Sequence, residues 1–560
     1  MVAALRPARA PGARTLAAFV LWALAASCSS PSNKPIDARA DADAAPEVAA
    51  DAASEDVAAP PAPATDATVV DAMADAVDGT DGSDADDAVQ PVVVDHSVLT
   101  RNKHETRDGF FVQPTLTRAM AARMAPDEGF KATFTGDMWA SPLYAEDGPG
   151  GKGVFIAVTT NNFVYALDET TGAVVWMRQL GNAAKVSGSG CSAIQPMGII
   201  STPVIDARQR TLYVATGTGE GFVNRHEVHA VSLDDGAERP GWPVDTTMAV
   251  GATGVVFTPF AQNQRSALSL VGGVLYVAYG GHKGDCPPYR GVVLAIDTAN
   301  PTRTGAWVTA GPREGIWAAG GMASDGNGVI AVTGNRRDDG SPPHQDSEEV
   351  VRVTGLGAVD RTTGIFFPAN WRAMDQTDAD FGANNPIVLS LPGSTPSSLV
   401  AAIAKDGHFY LLDPRSFGGS SPLQDFVVAT GGPSLVRSAP AAFPSAGGVR
   451  VVFNTLGGAA CATGTGNIMS VLISGATPKG APSWCTLGGT ASPIATSPNG
   501  KDETVVWFYS GALKGVHGDT GEAIYSGGTC GNVRQWSSPI AVKGRIIVGG
   551  DGMLCSWSPH

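Results

Sequence analysis

The chain is short of charge, of long apolar runs and of cysteine motifs, and each shortage closes off a class of protein. Only 16% of its 560 residues are Asp, Glu, Lys or Arg, and no basic face gathers, so it lacks the electrostatic footprint that nucleic-acid binding needs. One apolar run, Thr15 to Ser27, is thirteen residues long, too short to span a bilayer, and no second segment is long enough to cross one. No Cys-x-x-Cys-His occurs, which excludes c-type haem attached through that motif. Adjacent cysteines are absent too; the nearest two, Cys461 and Cys485, are 24 positions apart. Helix formers are not concentrated anywhere after residue 125, whereas Gly reaches 69 residues, an all-β, turn-rich profile.

What is present begins with an export signal. Arg6, Arg9 and Arg14 precede the apolar run, and Ala25-Ala26-Ser27 stands directly before Cys28. Small residues before a cysteine resemble the lipobox of bacterial lipoproteins, with Leu24 one place early. The expectation is that residues 1–27 are removed and Cys28 becomes a lipidated N-terminus; an ordinary signal with an incidental cysteine is the plainer alternative. From Pro31 to Asp95 the chain is Ala, Asp, Val and Pro, with sixteen acidic residues against Lys34 and Arg39. Such a stretch has too little apolar bulk to offset the entropy of ordering it, so residues 28–95 are expected to be a disordered, self-repelling tether. That leaves 96–560 as one folded domain, exported and lipid-anchored to the cell envelope (outer membrane, periplasmic or surface-facing), with no other membrane contact.

Internal repeats decide the fold, because a period near fifty residues signals a propeller. Small-residue and proline starts recur at Ala140-Ser141-Pro142, Ser201-Thr202-Pro203, Asn384-Asn385-Pro386, Ser438-Ala439-Pro440, Ala491-Ser492-Pro493 and Ser537-Ser538-Pro539, with weaker starts at Ser266 and Ala318. Each is followed by a β-branched or aromatic run, such as Val154 to Val158 or Val274 to Val277. The third run of the first repeat reads Tyr165-Ala166-Leu167-Asp168-Glu169-Thr170-Thr171-Gly172-Ala173-Val174-Val175-Trp176.

Ala166, Asp168, Thr171, Gly172 and Trp176 fill the fixed places of the tryptophan-docking motif of quinoprotein propellers. The folded domain therefore resembles the pyrroloquinoline-quinone-repeat family across about four-fifths of the chain. The resemblance implies an all-β, eight-bladed β-propeller of four-stranded antiparallel blades. The last repeat has three strands, so an N-terminal strand near Phe130 to Phe134 is expected to close the ring beside Met553 to Trp557. Residues 96–129 are expected to pack outside it. Placing the cysteines on the blades pairs Cys461 with Cys485, Cys530 with Cys555, and Cys191 with Cys286.

In a four-stranded meander the long insertions fall on one face, between strands two and three and between blades, which is where function is expected. Trp139, Trp317 and Trp536 stand just ahead of innermost strands there, either as stacking surfaces around the channel mouth or as wedges between blades. Arg265, His282, Lys283, Asp285, Glu314, Asn335, Arg336, Lys405 and Asp406 are the polar candidates. His282 and Asp285 are two ligand types in one short loop, too few to predict a metal. His226 and His229, three apart on a strand, point to opposite faces, unlike the helical zinc motif.

Quinoprotein alcohol dehydrogenases carry an adjacent-cysteine disulfide over the cofactor, an acidic base, and a calcium-bound Glu and Asn. Glu314 and Asn335 have the right types, but the adjacent cysteines are missing. The favoured expectation is a non-catalytic envelope or surface lipoprotein, a scaffold that binds an envelope or surface protein, a glycan or a small molecule at the long-loop face, with no cofactor. The alternative is a dehydrogenase of alcohols or sugars using pyrroloquinoline quinone and Ca²⁺. Replacing Cys28 by Ala is expected to move the protein from the membrane to the soluble fraction; a variant that still sediments with membranes places the anchor elsewhere.

Overall fold

The computed structural model describes residues 94–560 except 186–193, 284–285, 337–342, 433–435, 457, 460, 462–465 and 490–491. The described residues belong to one compact unit, Val89–His560. The expected signal, Cys28 and most of the expected tether, together with Cys191 and Asp285, lie outside the described residues.

The described strands form eight antiparallel meanders in chain order, the blades of an eight-bladed β-propeller. Their first strands are Leu143–Ala145, Val204–Asp206, Ser269–Val271, a bridge at Ala323, Ile387–Ser390, Ala441–Ser445, Ile494–Ser497 and Ile540–Val542. Second strands are buried on both sides because blade faces pack on each other: Val154–Val158 and Val329–Val332 are buried at every position. Outer strands face solvent, and in Val174–Gln179 only Trp176 is buried. The fourth blade departs from four full strands. Its first strand shrinks to the Ala323 to Ile330 bridge where Gly321 turns through φ 86°. The last repeat gains strands from ahead of the first blade, with Ala132 opposite Leu554 and Met124 opposite Pro559.

The docking motif works as a latch between blades. Asp168 Oδ1 accepts from Thr170 N, Thr171 N and Thr171 Oγ1 at 3.0, 2.8 and 2.8 Å, closing the turn that Gly172 completes at φ 75°. Trp176 then donates to Leu233 O of the next blade at 2.9 Å and lies on Gly236, where a Cβ would sit 2.8 Å from the ring. Trp484 repeats this on Gly518 O, at 3.0 Å, and against Gly521. Disulfides join Cys461 to Cys485 and Cys530 to Cys555. The expected Cys191 and Cys286 pair includes a residue outside the described set.

One expectation is overturned. Residues 97–113 do not pack outside the ring; they thread its centre and bond to the free edges of the innermost strands. Val98 pairs with Tyr144 in the first blade, and Leu99 O accepts from Ile205 N in the second. Glu105 O, Thr106 O, Asp108 O and Gly109 O accept from Ser324, Val388, Ala442 and Ala495 N in blades four to seven. Phe110–Val112 then lies parallel to Ile494–Ser497. Arg107 reaches the third blade, with Nη2 on Leu268 O and Ser269 Oγ at 2.9 and 2.7 Å. Arg101 Nη2 reaches the eighth at Ser538 Oγ, 3.0 Å away. The repeat pattern cannot see this segment because it repeats nothing; what draws it in is the unmet bonding of eight inner edges.

Both arginines are fully buried without a carboxylate partner, and burial lowers both pKa values. Arg107 spends its remaining donors on Met322 O, Thr100 Oγ1 and Arg101 O at 2.8, 2.6 and 2.9 Å. Arg107→Ala orphans several buried acceptors at about 1–3 kcal/mol each. Urea unfolding is expected to show a loss of about 3 kcal/mol or more, against about 0.5 kcal/mol or less for the exposed control Arg415→Ala.

Candidate functional site

Each first strand runs from the long-loop face toward the short-loop face, so residues just ahead of it line the channel mouth. The mouth is crossed by a succession of cation and ring contacts. Arg534 lies 4.8 Å from the Trp139 ring centre, and Trp139 stacks on Trp536 at 6.1 Å and 20°. Arg265 lies 4.6 Å from Trp536 and 4.8 Å from Trp317, and Lys405 Nζ lies 5.2 Å from Trp317. A guanidinium or ammonium over an indole face is favourable by about 0.5–2 kcal/mol, most where water is excluded. Arg265 is further fixed by its Nε donating to Trp317 O at 3.1 Å. The structure thus brings together five of the sequence candidates: Trp139, Trp317, Trp536, Arg265 and Lys405. The tryptophans neither stand open nor simply wedge blades apart; cations lie against their faces.

Two donors here are buried without a protein acceptor, Trp536 Nε1 and Arg437 Nε. A buried donor left unpaired costs about 1–3 kcal/mol, so an acceptor from a bound molecule would be stabilised. Below Trp317 the chemistry changes sign. Lys405 Nζ donates to Asp380 Oδ2 at 2.7 Å and Asp378 Oδ1 at 2.9 Å. Asp380 Oδ1 and Glu348 Oε1 are buried and unpartnered. Gly334 and Gly382 admit the Trp317 indole; a Cβ on either would stand 3.0 or 2.9 Å from its Nε1.

The other candidates lie apart. Glu314 sits in a strained turn, with Arg313 and Glu314 at φ 71° and 44°. Its carboxylate accepts from Gly311 N at 2.8 Å and meets Asn335 only through the backbone, Glu314 N to Asn335 O at 3.2 Å. The Asn335 side-chain nitrogen is buried and unpartnered. Arg336 N donates to Asp375 Oδ1 at 2.8 Å. Asp406 caps the turn at His408 N. His282 is buried against the Phe260 backbone, its pKa pushed down to about 4 by that burial, and Lys283 is exposed. His226 bonds Pro259 O and Gln262 O, while His229 pairs with Glu238 at 2.8 Å. Among the described residues no group of three His, Cys, Asp or Glu is placed to hold a metal ion.

Sequence reasoning missed Asp380, Glu348, Arg437 and Arg534. The signal was available for three of them: Asp380, Arg437 and Arg534 stand just ahead of strand starts, as the tryptophans do. Glu348 and Glu349 carry no such positional signal, and both are fully buried.

The fold is that of the quinoprotein dehydrogenase propellers. No protein-family model matches the chain, and no curated protein does. Among solved structures it is similar to the quinohemoprotein alcohol dehydrogenase of Comamonas testosteroni, at TM-score 0.56 and 15% identity over 82% of this chain and 80% of that one. It is similar to the alcohol dehydrogenase ADHIIG of Pseudomonas putida HK5, at 0.56 and 13% over 83% and 80%. A europium-containing methanol dehydrogenase matches at 0.54 and 14% over 81% and 90%. At these identities the likeness establishes architecture alone.

Beside the mouth, Glu314, Asp346 and Glu349 are buried around Arg361, which reaches Asp346 at 2.5 Å and Glu349 at 3.8 Å. Burial, with neighbouring carboxylates, pushes Glu314 up to about 7 and Glu349 to about 9, and burial pushes Asp380 to about 6. A carboxyl with a higher pKa folded than unfolded binds its proton more tightly when folded. Its contribution is complete below about pH 4 and is lost as pH rises through the folded value. The melting temperature is therefore expected to fall by several degrees between pH 5 and pH 8. Glu349→Gln is expected to shrink that fall; an unchanged slope in the variant would remove Glu349 as its source.

Proposed function

We propose that this chain is a ligand-binding propeller of the cell envelope, anchored through Cys28, whose channel mouth takes a planar, anionic small molecule. One observation carries the reading. Arg265 and Lys405 lie against tryptophan faces, and beside them the buried donors Trp536 Nε1 and Arg437 Nε have no protein acceptor. A flat ring with carboxylates answers both features, by stacking and by accepting from the orphaned donors. Pyrroloquinoline quinone, a planar polycarboxylate, matches this donor set. A calcium partner does not match the described residues, because the Glu314 carboxylate is turned to Gly311 N rather than to the Asn335 side chain.

A second reading, oxidation of an alcohol or sugar, is favoured by Asp380. It is a buried carboxylate held by Lys405 beside the Trp317 indole, with one oxygen unpartnered. Such a group takes up a hydroxyl proton, and a bound quinone would supply the oxidant.

Titrating the full chain with pyrroloquinoline quinone is expected to give saturable quenching of tryptophan fluorescence. Arg265→Ala and Trp317→Ala are each expected to weaken binding about ten-fold or more with unchanged circular dichroism. Quenching that survives both substitutions would take the site away from the mouth. Substrate-dependent dye reduction by the quinone-loaded protein, abolished by Asp380→Asn while binding persists, would favour the oxidation reading.

A further inference from the structure

The end of the channel opposite the tryptophans holds a cavity of about 890 Å³, within the ~300–1,000 Å³ usual for small-molecule sites. The turn at Asp325-Gly326 and the first-strand ends at Ser390 and Pro444 lie on its rim, and the threaded segment forms its floor. Its walls are mostly apolar, with Ile205, Leu270, Val388 and Phe443 from the first strands of the second, third, fifth and sixth blades.

On this floor lies an oriented imidazole. His104 Nδ1 is 2.8 Å from Asp108 Oδ1 and 3.0 Å from Oδ2. The same carboxylate accepts from Thr106 Oγ1 at 2.8 Å and Phe110 N at 3.0 Å, so its acceptor sites are turned to donors and the histidine proton belongs on Nδ1. In the neutral ring that leaves Nε2 as an acceptor, on a side chain that is 50% exposed and lines the cavity. The backbone that presents it is held in conformations sparsely populated by residues other than glycine: φ is 57°, 71° and 63° at Asn102, Lys103 and Arg107. Inter-blade bonds from Ser324, Val388 and Ala442 to Glu105, Thr106 and Asp108 keep it there. Backbone strain maintained by so many contacts concentrates at binding and catalytic sites.

We propose that this cavity is a second ligand site, for a small, neutral, apolar molecule bearing a hydroxyl, whose O–H donates to His104 Nε2. Neutrality follows from the charges around it. Lys103 Nζ is committed to Asp95 O and Ser97 O, and Arg107 to the interior. The donors of both cations are engaged and Asp108 is held by His104, Thr106 and Phe110 N, while the Glu105 carboxylate remains on the lining and disfavours an anion. The site is independent of whatever occupies the tryptophan mouth.

The full chain is titrated calorimetrically with 4-propylphenol and with propylbenzene, which differ only by the hydroxyl. One-to-one binding is expected, with the phenol favoured about ten-fold, the size of one good hydrogen bond to an oriented acceptor. His104→Leu is expected to abolish that preference, and Leu270→Trp, which narrows the cavity, to weaken both probes. Asp108→Asn, which keeps the volume but loosens the imidazole, is expected to weaken the phenol alone, and it decides the matter if His104→Leu does not fold. Trp317→Ala is expected to leave both affinities unchanged. Absence of saturable binding, a phenol preference that survives in folded His104 and Asp108 variants, or binding lost with Trp317 but not with Leu270→Trp would overturn the assignment.

Discussion

The first strand of each propeller blade has a partner on one side only, and around a ring those unpaired edges all face the axis. In this protein a single stretch of chain, residues 97–113, answers them, touching every blade with a backbone or arginine bond. Each such bond contributes only about 0.5–1.5 kcal/mol net, but leaving buried edges unmet costs more. Arg101 and Arg107 make the arrangement specific. Arg101 reaches the start of the eighth blade and Arg107 the first strand of the third, so neither the ring nor the thread is satisfied without the other.

The thread also divides the channel. On one side lies the mouth, where cations lie against tryptophans over a buried carboxylate layer; on the other lies the cavity floored by His104 and Asp108. The two ends differ in chemistry because different parts of the repeat build them. Residues ahead of the first strands are unconstrained by pairing and carry Trp, Arg and Asp. The short turns at the other end are held to Gly, Asp and Ser by tight reversal, and what is distinctive there comes from the thread itself.

Buried charge is concentrated around the fourth and fifth blades. Glu314, Asp346, Glu348, Glu349, Asp375 and Asp380 are all buried there, against Lys405 and the half-exposed Arg361. Such an arrangement is a poor way to gain stability, since burying carboxylates beside one another is costly. Perturbed carboxyls gathered by an aromatic mouth are commoner at functional sites than elsewhere, which is why the mouth is read as a site and not as packing.

By itself the sequence determined the propeller. Eight strand starts, the turn chemistry of Asp168, Thr171 and Gly172, and the docking of Trp176 are local patterns repeated along the chain, and local patterns survive in one dimension. It also placed Trp139, Trp317, Trp536, Arg265 and Lys405 on one face, because loop length and strand order fix that side. Only the tertiary structure decided what those residues do. That Arg265 lies between two indoles, that Glu314 turns from the Asn335 side chain, and that Glu348 and Asp380 are buried depend on distances between blades some fifty residues apart, which no period encodes. The thread is the extreme case. Residues 97–113 carry no repeat and only a three-residue strand, Phe110–Val112, and they take their course from the edges of eight blades that must already stand in a ring.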